Sequence, residues 1–389
     1  MASNRTLLGS TKAFEALSRP AAGVQLRCLS ASASRQAHLE PIRFHPTGNP
    51  ELLNQLEFIR EKIVIPSYLQ EWQKKKVYSP KYKQELSIDP VILEVDGKEY
   101  KFGYINIHTD LPETRKNVTK AINMMKNKWD MDNLRPLLEG VKQAKRKLPW
   151  VVYPKLARLA GQYDNIPVIL ECAWHVEKTG FRLTHSETVN ELLCWIQKKA
   201  LDSDWDEKET KKALKRAIKL IETIEAKEEH HPKGNSPLEV PVDEVTARQI
   251  PLYRDPQVLS ARLHLAAALA VKRYDGKDVN NVVTKYAQEL LALWPEGAGL
   301  TTLHPEAAYL READMGYLIH TPKRFLWHAS PILHGLQLAA KIVEPELAKQ
   351  LLQRAAVLKE EMKTAISKDE TLPEGTVYTE YFGQKKVAS

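Results

Sequence analysis

The densest group of potential proton carriers and metal ligands in this 389-residue chain is Glu228-Glu229-His230-His231. Two imidazoles beside two carboxylates have the right atoms for zinc or for acid–base work. Their spacing argues against both, because neighbours on a Pro- and Gly-flanked stretch rarely converge on one ion. His304, His320, His328 and His334 are scattered through 301–335 near Glu306, Glu312 and Asp314, with no metal-site spacing. His175 and His264 fall on helical patterns, where a structural imidazole is the commoner outcome. Cys28, Cys172 and Cys194 are odd in number and fit neither a disulfide framework nor a zinc site. Cys172 and Cys194 lie on apolar helical faces and read as core thiols. With 16 glycines the chain has no G-x-x-x-x-G-K-[ST], no G-x-G-x-x-G and no G-x-S-x-G, so phosphate-cradling loops and nucleophile elbows lack raw material. The expectation is a binding protein with no catalytic residue, metal, cofactor or small-molecule substrate.

The chemistry that remains is positive charge. Lysine plus arginine number 57 against 49 acids, a formal charge of +8. Three clusters are the candidate contacts to an RNA backbone: Lys74, Lys75 and Lys76; Lys145, Arg146 and Lys147; and Lys211, Lys212, Lys215 and Arg216. The first lies in an aromatic-basic stretch that also holds Tyr68, Trp72, Tyr78, Lys81, Tyr82 and Lys83, a composition suited to backbone contact and base stacking, or to draping over another protein. The second closes a helix, where positive charge is favourable whatever its use. The competing reading of all three is a solvated helix face or terminus.

These residues need elements to hold them. Residues 1–29 carry Arg5, Lys12, Arg19 and Arg27 against one acid, Glu15, with Leu7, Leu8, Phe14 and Leu17 near one side of a helix. That is the composition of a mitochondrial transit peptide. Arg27-Cys28-Leu29-Ser30 resembles a matrix-peptidase site, with cleavage expected near Leu29 or Ser30, which places the mature chain in the mitochondrial matrix. No apolar run approaches the ~20 residues of a membrane span. Residues 30–112 read as an extended N-terminal arm with one helix, Glu51 to Val64, stopped by Pro66. The arm also holds a β-hairpin in which Val91–Val95 and Lys98–Phe102 flank Asp96-Gly97. From about Glu113 the pattern turns helical: Val118, Ile122 and Met125, then Leu134, Leu137, Leu138 and Val141.

Residues 151–185 form a helical hairpin that ends at Thr179-Gly180, a C-terminal stop signal. The next helix, from Ser186, starts about 35 residues after the first and could be capped by Ser186 or Thr184. Val151, Tyr153 and Leu156 at the start and Gly180-Phe181 at the end resemble a pentatricopeptide-type repeat. In base-reading members of that family polar residues select the base. Here those positions hold Pro154, Lys155 and His185, so the resemblance implies non-specific RNA or protein contact. Further pairs are expected: Thr188–Lys199 with Glu207–Ile224, Asp255–Tyr274 with Val279–Trp294, and Leu333–Val343 with Glu346–Ile366. The fold class is therefore mainly α, an irregular α-solenoid of helical hairpins with an N-terminal extension and one β-hairpin. Repeats should occupy 113–225, a linker 226–241 and a C-terminal helical domain 242–389. The chain as a whole resembles fungal mitochondrial ribosomal or mitoribosome-associated proteins. That implies a structural or accessory role in mitochondrial translation, with ribosomal RNA and ribosomal proteins as partners. The alternatives are a helical scaffold or assembly factor for a respiratory-chain complex, an RNA-processing or stability factor, or an enzyme whose site carries no motif.

Overall fold

The computed structural model describes residues 41–231, 250–368 and 377–382. The expected transit peptide with its Leu29 and Ser30 cleavage site, and most of the 226–241 stretch, lie outside these residues. The described chain is mainly helical, with one two-stranded sheet.

Helix α1 (Pro50–Ile59) starts where Asn49 Oδ1 accepts the Glu51 and Leu52 amides, and it buries Leu52, Leu56 and Ile59. Regular winding ends at Ile59, not at Val64 as the apolar spacing predicts. The turn Arg60–Val64 is wider, with the Ile65 amide bonded to the Arg60 carbonyl. Pro66 then sits in the first turn of a tight Ile65–Tyr68 segment. A proline there forfeits only an amide that has no helical partner, so it begins a turn instead of stopping the helix.

Helices α2 (Glu71–Val77) and α3 (Lys83–Ile88) lead into the hairpin, β1 (Val91–Val95) and β2 (Lys98–Phe102). Val95 pairs with Lys98, so Asp96 and Gly97 alone make the turn, at φ 56° and 73°. Two positive φ values match the right-handed twist of the strands. A hairpin is marginal alone. This one leans on Ile65, Leu69, Val77 and Leu86, which with Val91, Val95 and Phe102 form a small core of their own.

The large core begins at Ile42 and continues through α1, α4 (Thr114–Met124), α5 (Lys128–Met131), α6 (Leu134–Gln143), α7 (Val152–Gln162), α8 (Ile166–Trp174), α10 (Ser186–Asp202) and α11 (Glu207–Ala226), with the short α9 (Val176–Thr179) between α8 and α10. It goes on through α12 (Pro256–Arg273), α13 (Val282–Leu293), α14 (Gly316–His320), α15 (Pro322–Ala339) and α16 (Pro345–Ser367), and α17 (Val377–Phe382) packs on it. Gly180 ends α9 at φ 68°. Helix α7 packs on α8 and α10, α10 on α11, α12 on α11, α13 and α15, and α16 on α13 and α15. Helix α12 is buried on nearly every side. At its crossing with α15 a Cβ on Gly335 would lie 2.6 Å from His264 Cβ and 2.9 Å from its Cα. Only glycine permits that approach without backbone movement.

Two further expectations need correction. Neither Ser186 nor Thr184 caps α10 with its side chain. Ser186 is fully buried, and its amide donates to Asp314 Oδ1, 128 residues away, at 2.9 Å. The cap is supplied by tertiary structure. Helix α15 starts at Pro322, well before Leu333. His328 and Pro331 break the apolar pattern there, yet Pro331 is accommodated inside the helix. Proline frees the carbonyl four residues back, and the Trp327 carbonyl accepts the Cys194 thiol at 3.7 Å.

Candidate nucleic-acid interface

Helix α2 is seven residues long, and its last turn is Lys74, Lys75 and Lys76. The carbonyl end of a helix favours cations. Two of the three are already engaged: Lys74 Nζ donates to Glu71 at 3.2 Å, and Lys76 pairs with Glu85 at 2.8 Å. Lys75 is exposed and has no acidic partner among the described residues.

The second cluster follows α6. Lys145 takes the left-handed conformation at φ 53°, its amide bonds the Lys142 carbonyl at 2.9 Å, and the Arg146 amide bonds the Val141 carbonyl at 3.0 Å. This is a Schellman ending with lysine where glycine is usual. Such a conformation costs a β-carbon-bearing residue about 1 kcal/mol. It turns the chain sharply and leaves Lys145, Arg146 and Lys147 all exposed, without an acidic partner among the described residues.

The fold brings these two clusters together. The Glu71 carboxyl is held below the usual carboxylate range first by the Lys74 hydrogen bond, and also by the charges of Lys145 and Lys75. The half-buried Tyr78 hydroxyl, pushed up by burial, is drawn back by the charge of Arg146. Lysines and an arginine seventy positions apart thus share one surface. Trp72, 60% exposed, stands on the same short helix. Its place there was not recognisable from sequence, because every ring between 68 and 82 looked equally available.

The third cluster is different in kind. Helix α11 starts at an Asp206 cap and packs on α10 and α12. Lys211 pairs with Glu207, one turn back, and lies 5.6 Å from the Tyr274 ring centre; Lys212 is 3.8 Å from Glu209. Lys215 is exposed and Arg216 half-buried. Lys211 and Lys212 carry counter-ions on their own helix, while Lys215 and Arg216 pair with no acid among the described residues.

The candidate reaction chemistry resolves into structure. His230 is buried. Its Nδ1 accepts the Leu183 amide at 3.2 Å and its Nε2 bonds the Ala173 carbonyl at 3.0 Å, which fixes a neutral tautomer. His231 Nε2 bonds the Ile224 carbonyl at 2.9 Å. Among the described residues no three His, Cys, Asp or Glu side chains are placed to hold a metal.

One buried constellation escaped the sequence reading. Cys194 Sγ lies 3.3 Å from His328 Nδ1, and His328 Nε2 lies 3.8 Å from Glu191. The order thiol, imidazole, carboxylate has the form of a nucleophilic triad. Its electrostatics are the reverse of one. Burial pushes the Cys194 thiol up and lowers His328 to about 3, while burial raises Glu191 to about 7 against the pull of Arg158. A nucleophilic cysteine needs a lowered pKa and access. This one is a neutral hydrogen-bonded core contact.

A cleft of about 460 Å³ lies between α7 and the segment around α14, lined by Trp150, Lys155, Arg158, Glu187, Arg311 and Arg324 among others. Within it Glu187 is bridged by Arg158 and Arg324.

The comparisons with known proteins agree with a surface built for assembly. A family model described as mitochondrial ribosomal protein mS27 matches residues 27–385. The chain is 39% identical over 388 aligned residues to the small ribosomal subunit protein mS27 of Neurospora crassa, covering 96% of each chain. By both measures the chain belongs to the mitochondrial ribosomal protein mS27 family.

Proposed function

We propose that the chain works in the mitochondrial matrix as a non-catalytic component of the small subunit of the mitochondrial ribosome, holding ribosomal RNA and neighbouring ribosomal proteins. The observation that carries this is the family match across residues 27–385. A relative alike over 96% of its length, whose name places it in the small ribosomal subunit, supports the subunit assignment. Lys75, Lys145, Arg146 and Lys147, exposed and without counter-ions among the described residues, support RNA backbone contact at the α2–α6 surface. No helix among the described residues is long and apolar enough to cross a membrane.

Residues 1–29 are the transit peptide, cleaved near Leu29 or Ser30; four basic residues against one acid support that reading. Residues 30–112 are the arm, 113–225 the repeat-like region, 226–241 the linker and 242–389 the C-terminal helical domain. The hairpins α7/α8–α9, α10/α11, α12/α13 and α15/α16 are the units of an irregular solenoid. The sequential packing of each on the next supports that description. The contact of α10 with α15, through Cys194 and His328, adds a tie between units two apart and implies tight winding.

Sedimentation of mitochondrial extract tests the role. Co-migration with the small subunit, persisting at low salt, is expected; a protein that stays at the top of the gradient contradicts it. For the RNA contacts, neutralising 74–76 and 145–147 should lower both affinity and its salt slope, the slope by about 0.7–0.9 for each phosphate that no longer meets a cation.

A further inference from the structure

The α2–α6 surface holds one ring that its neighbours do not explain. Tyr68, Tyr78 and Tyr82, close to it in sequence, pack against the cores. Trp72 does not, and is 60% exposed. Its indole Nε1 donates to Gln70 Oε1 at 2.6 Å. That bond holds the ring by one edge, while more than half of the residue stays exposed. Lys75 and Lys76 follow at three and four residues, on the same side of the helix. Lys76 is engaged by Glu85, Glu71 by Lys74, and Lys75 by no acid among the described residues. The Tyr68 hydroxyl donates to Gln143 Oε1 at 2.9 Å, which ties the segment before α2 to the end of α6, where Lys145, Arg146 and Lys147 follow. An oriented indole face bordered by unneutralised cations is the arrangement that holds a nucleotide: the ring takes the base and the cations take the phosphates on either side.

We propose that Trp72 is a stacking platform for an unpaired ribosomal RNA nucleotide, with Lys75, Lys145, Arg146 and Lys147 holding the flanking phosphates. This rests on the RNA contact proposed above and narrows it. A base in a duplex is stacked on its neighbours and cannot lie on an indole, so the ligand is a single strand, loop or bulge. No base edge is read, so the site discriminates strandedness and not sequence.

The test uses the full-length purified chain and a short labelled oligoribonucleotide, single-stranded or annealed to its complement. Wild type should prefer the single strand. Trp72→Ala should lose roughly tenfold on the single strand and little on the duplex, with Trp72→Phe retaining most of the binding. Trp129→Ala, which removes another exposed indole, should change neither. An equal loss on both ligands, or none on the single strand, overturns the platform. So does a Trp72→Ala protein that binds RNA normally but no longer enters the small subunit, since the ring would then face a protein. A K75Q/K145Q/R146Q/K147Q variant separates this from the broader reading. If it loses RNA while Trp72→Ala does not, only stacking fails; if it binds as wild type, the RNA surface itself fails.

Discussion

Charge is used in opposite ways at two places in this molecule. At the α2–α6 surface, Lys75, Lys145, Arg146 and Lys147 face water without counter-ions among the described residues. Where α10 meets α15, Glu187 and Glu191 are almost completely buried between Arg158, Arg324 and His328. Exposed unpaired charge contributes little to folding and is available to a partner. Buried charge is costly unless held on several sides, and it binds the fold to itself. Lys211 and Lys212 of α11 fall between the two: exposed, but neutralised one turn away by Glu207 and Glu209. Counting basic residues does not separate these cases; asking where each charge finds its partner does.

The contrast is open to direct attack. The K75Q/K145Q/R146Q/K147Q variant should lose on the order of 100-fold in affinity for ribosomal RNA at moderate salt, with an unchanged melting temperature. Filter binding and calorimetry on the same preparation check both halves.

Glu191→Gln should do the reverse, changing stability and not RNA binding. The folded carboxyl titrates at about 7, above the ordinary glutamate range, because of burial. Its contribution is present in full below the unfolded value near 4.3 and is lost as pH rises through about 7. The variant should therefore be more stable than wild type at pH 8, by about 1–3 kcal/mol, and no more stable near pH 4. Denaturant titrations at the two pH values check this. His230, His328 and His334, lowered by burial to about 4, 3 and 4, pull the other way. Their contribution is full above about pH 6.5 and lost as pH falls toward 4. With Glu191 replaced, the acid side of the stability curve should steepen.

Asp314→Ala removes the acceptor of the Ser186 amide and should cost about 1–2 kcal/mol, again without effect on RNA binding. The smallest effect is expected for Lys211, Lys212, Lys215 and Arg216 changed together to Gln: less than about threefold in RNA affinity, because counter-ions on the same helix already occupy Lys211 and Lys212. A larger loss there would erase the distinction.

Local signals were legible in the sequence and tertiary ones were not. Asp96-Gly97 announced the hairpin because both positions demand positive φ. Gly180 marked the end of α9, and the interval from Val151 to Ser186 marked the helix spacing. Pro66 misled because proline ends a helix or opens a turn depending on what precedes it. Ser186 misled because its amide found Asp314 across the fold. That α2 and the end of α6 share a surface depends on how the small core packs against the large one, which no local pattern encodes. The Cys194–His328–Glu191 contacts were hidden for the same reason: three ordinary residues on two helices, joined only by the packing of α10 on α15.

The central claim is that this chain meets ribosomal RNA through the surface formed by α2 and the end of α6. Ultraviolet cross-linking of intact small mitochondrial ribosomal subunits, with the nucleotide–peptide adducts mapped by mass spectrometry, tests it most directly. The account predicts adducts on peptides spanning 71–76 and 145–147 and none on 211–216. Adducts confined to α11, or found elsewhere on the chain and absent from both segments, would contradict it.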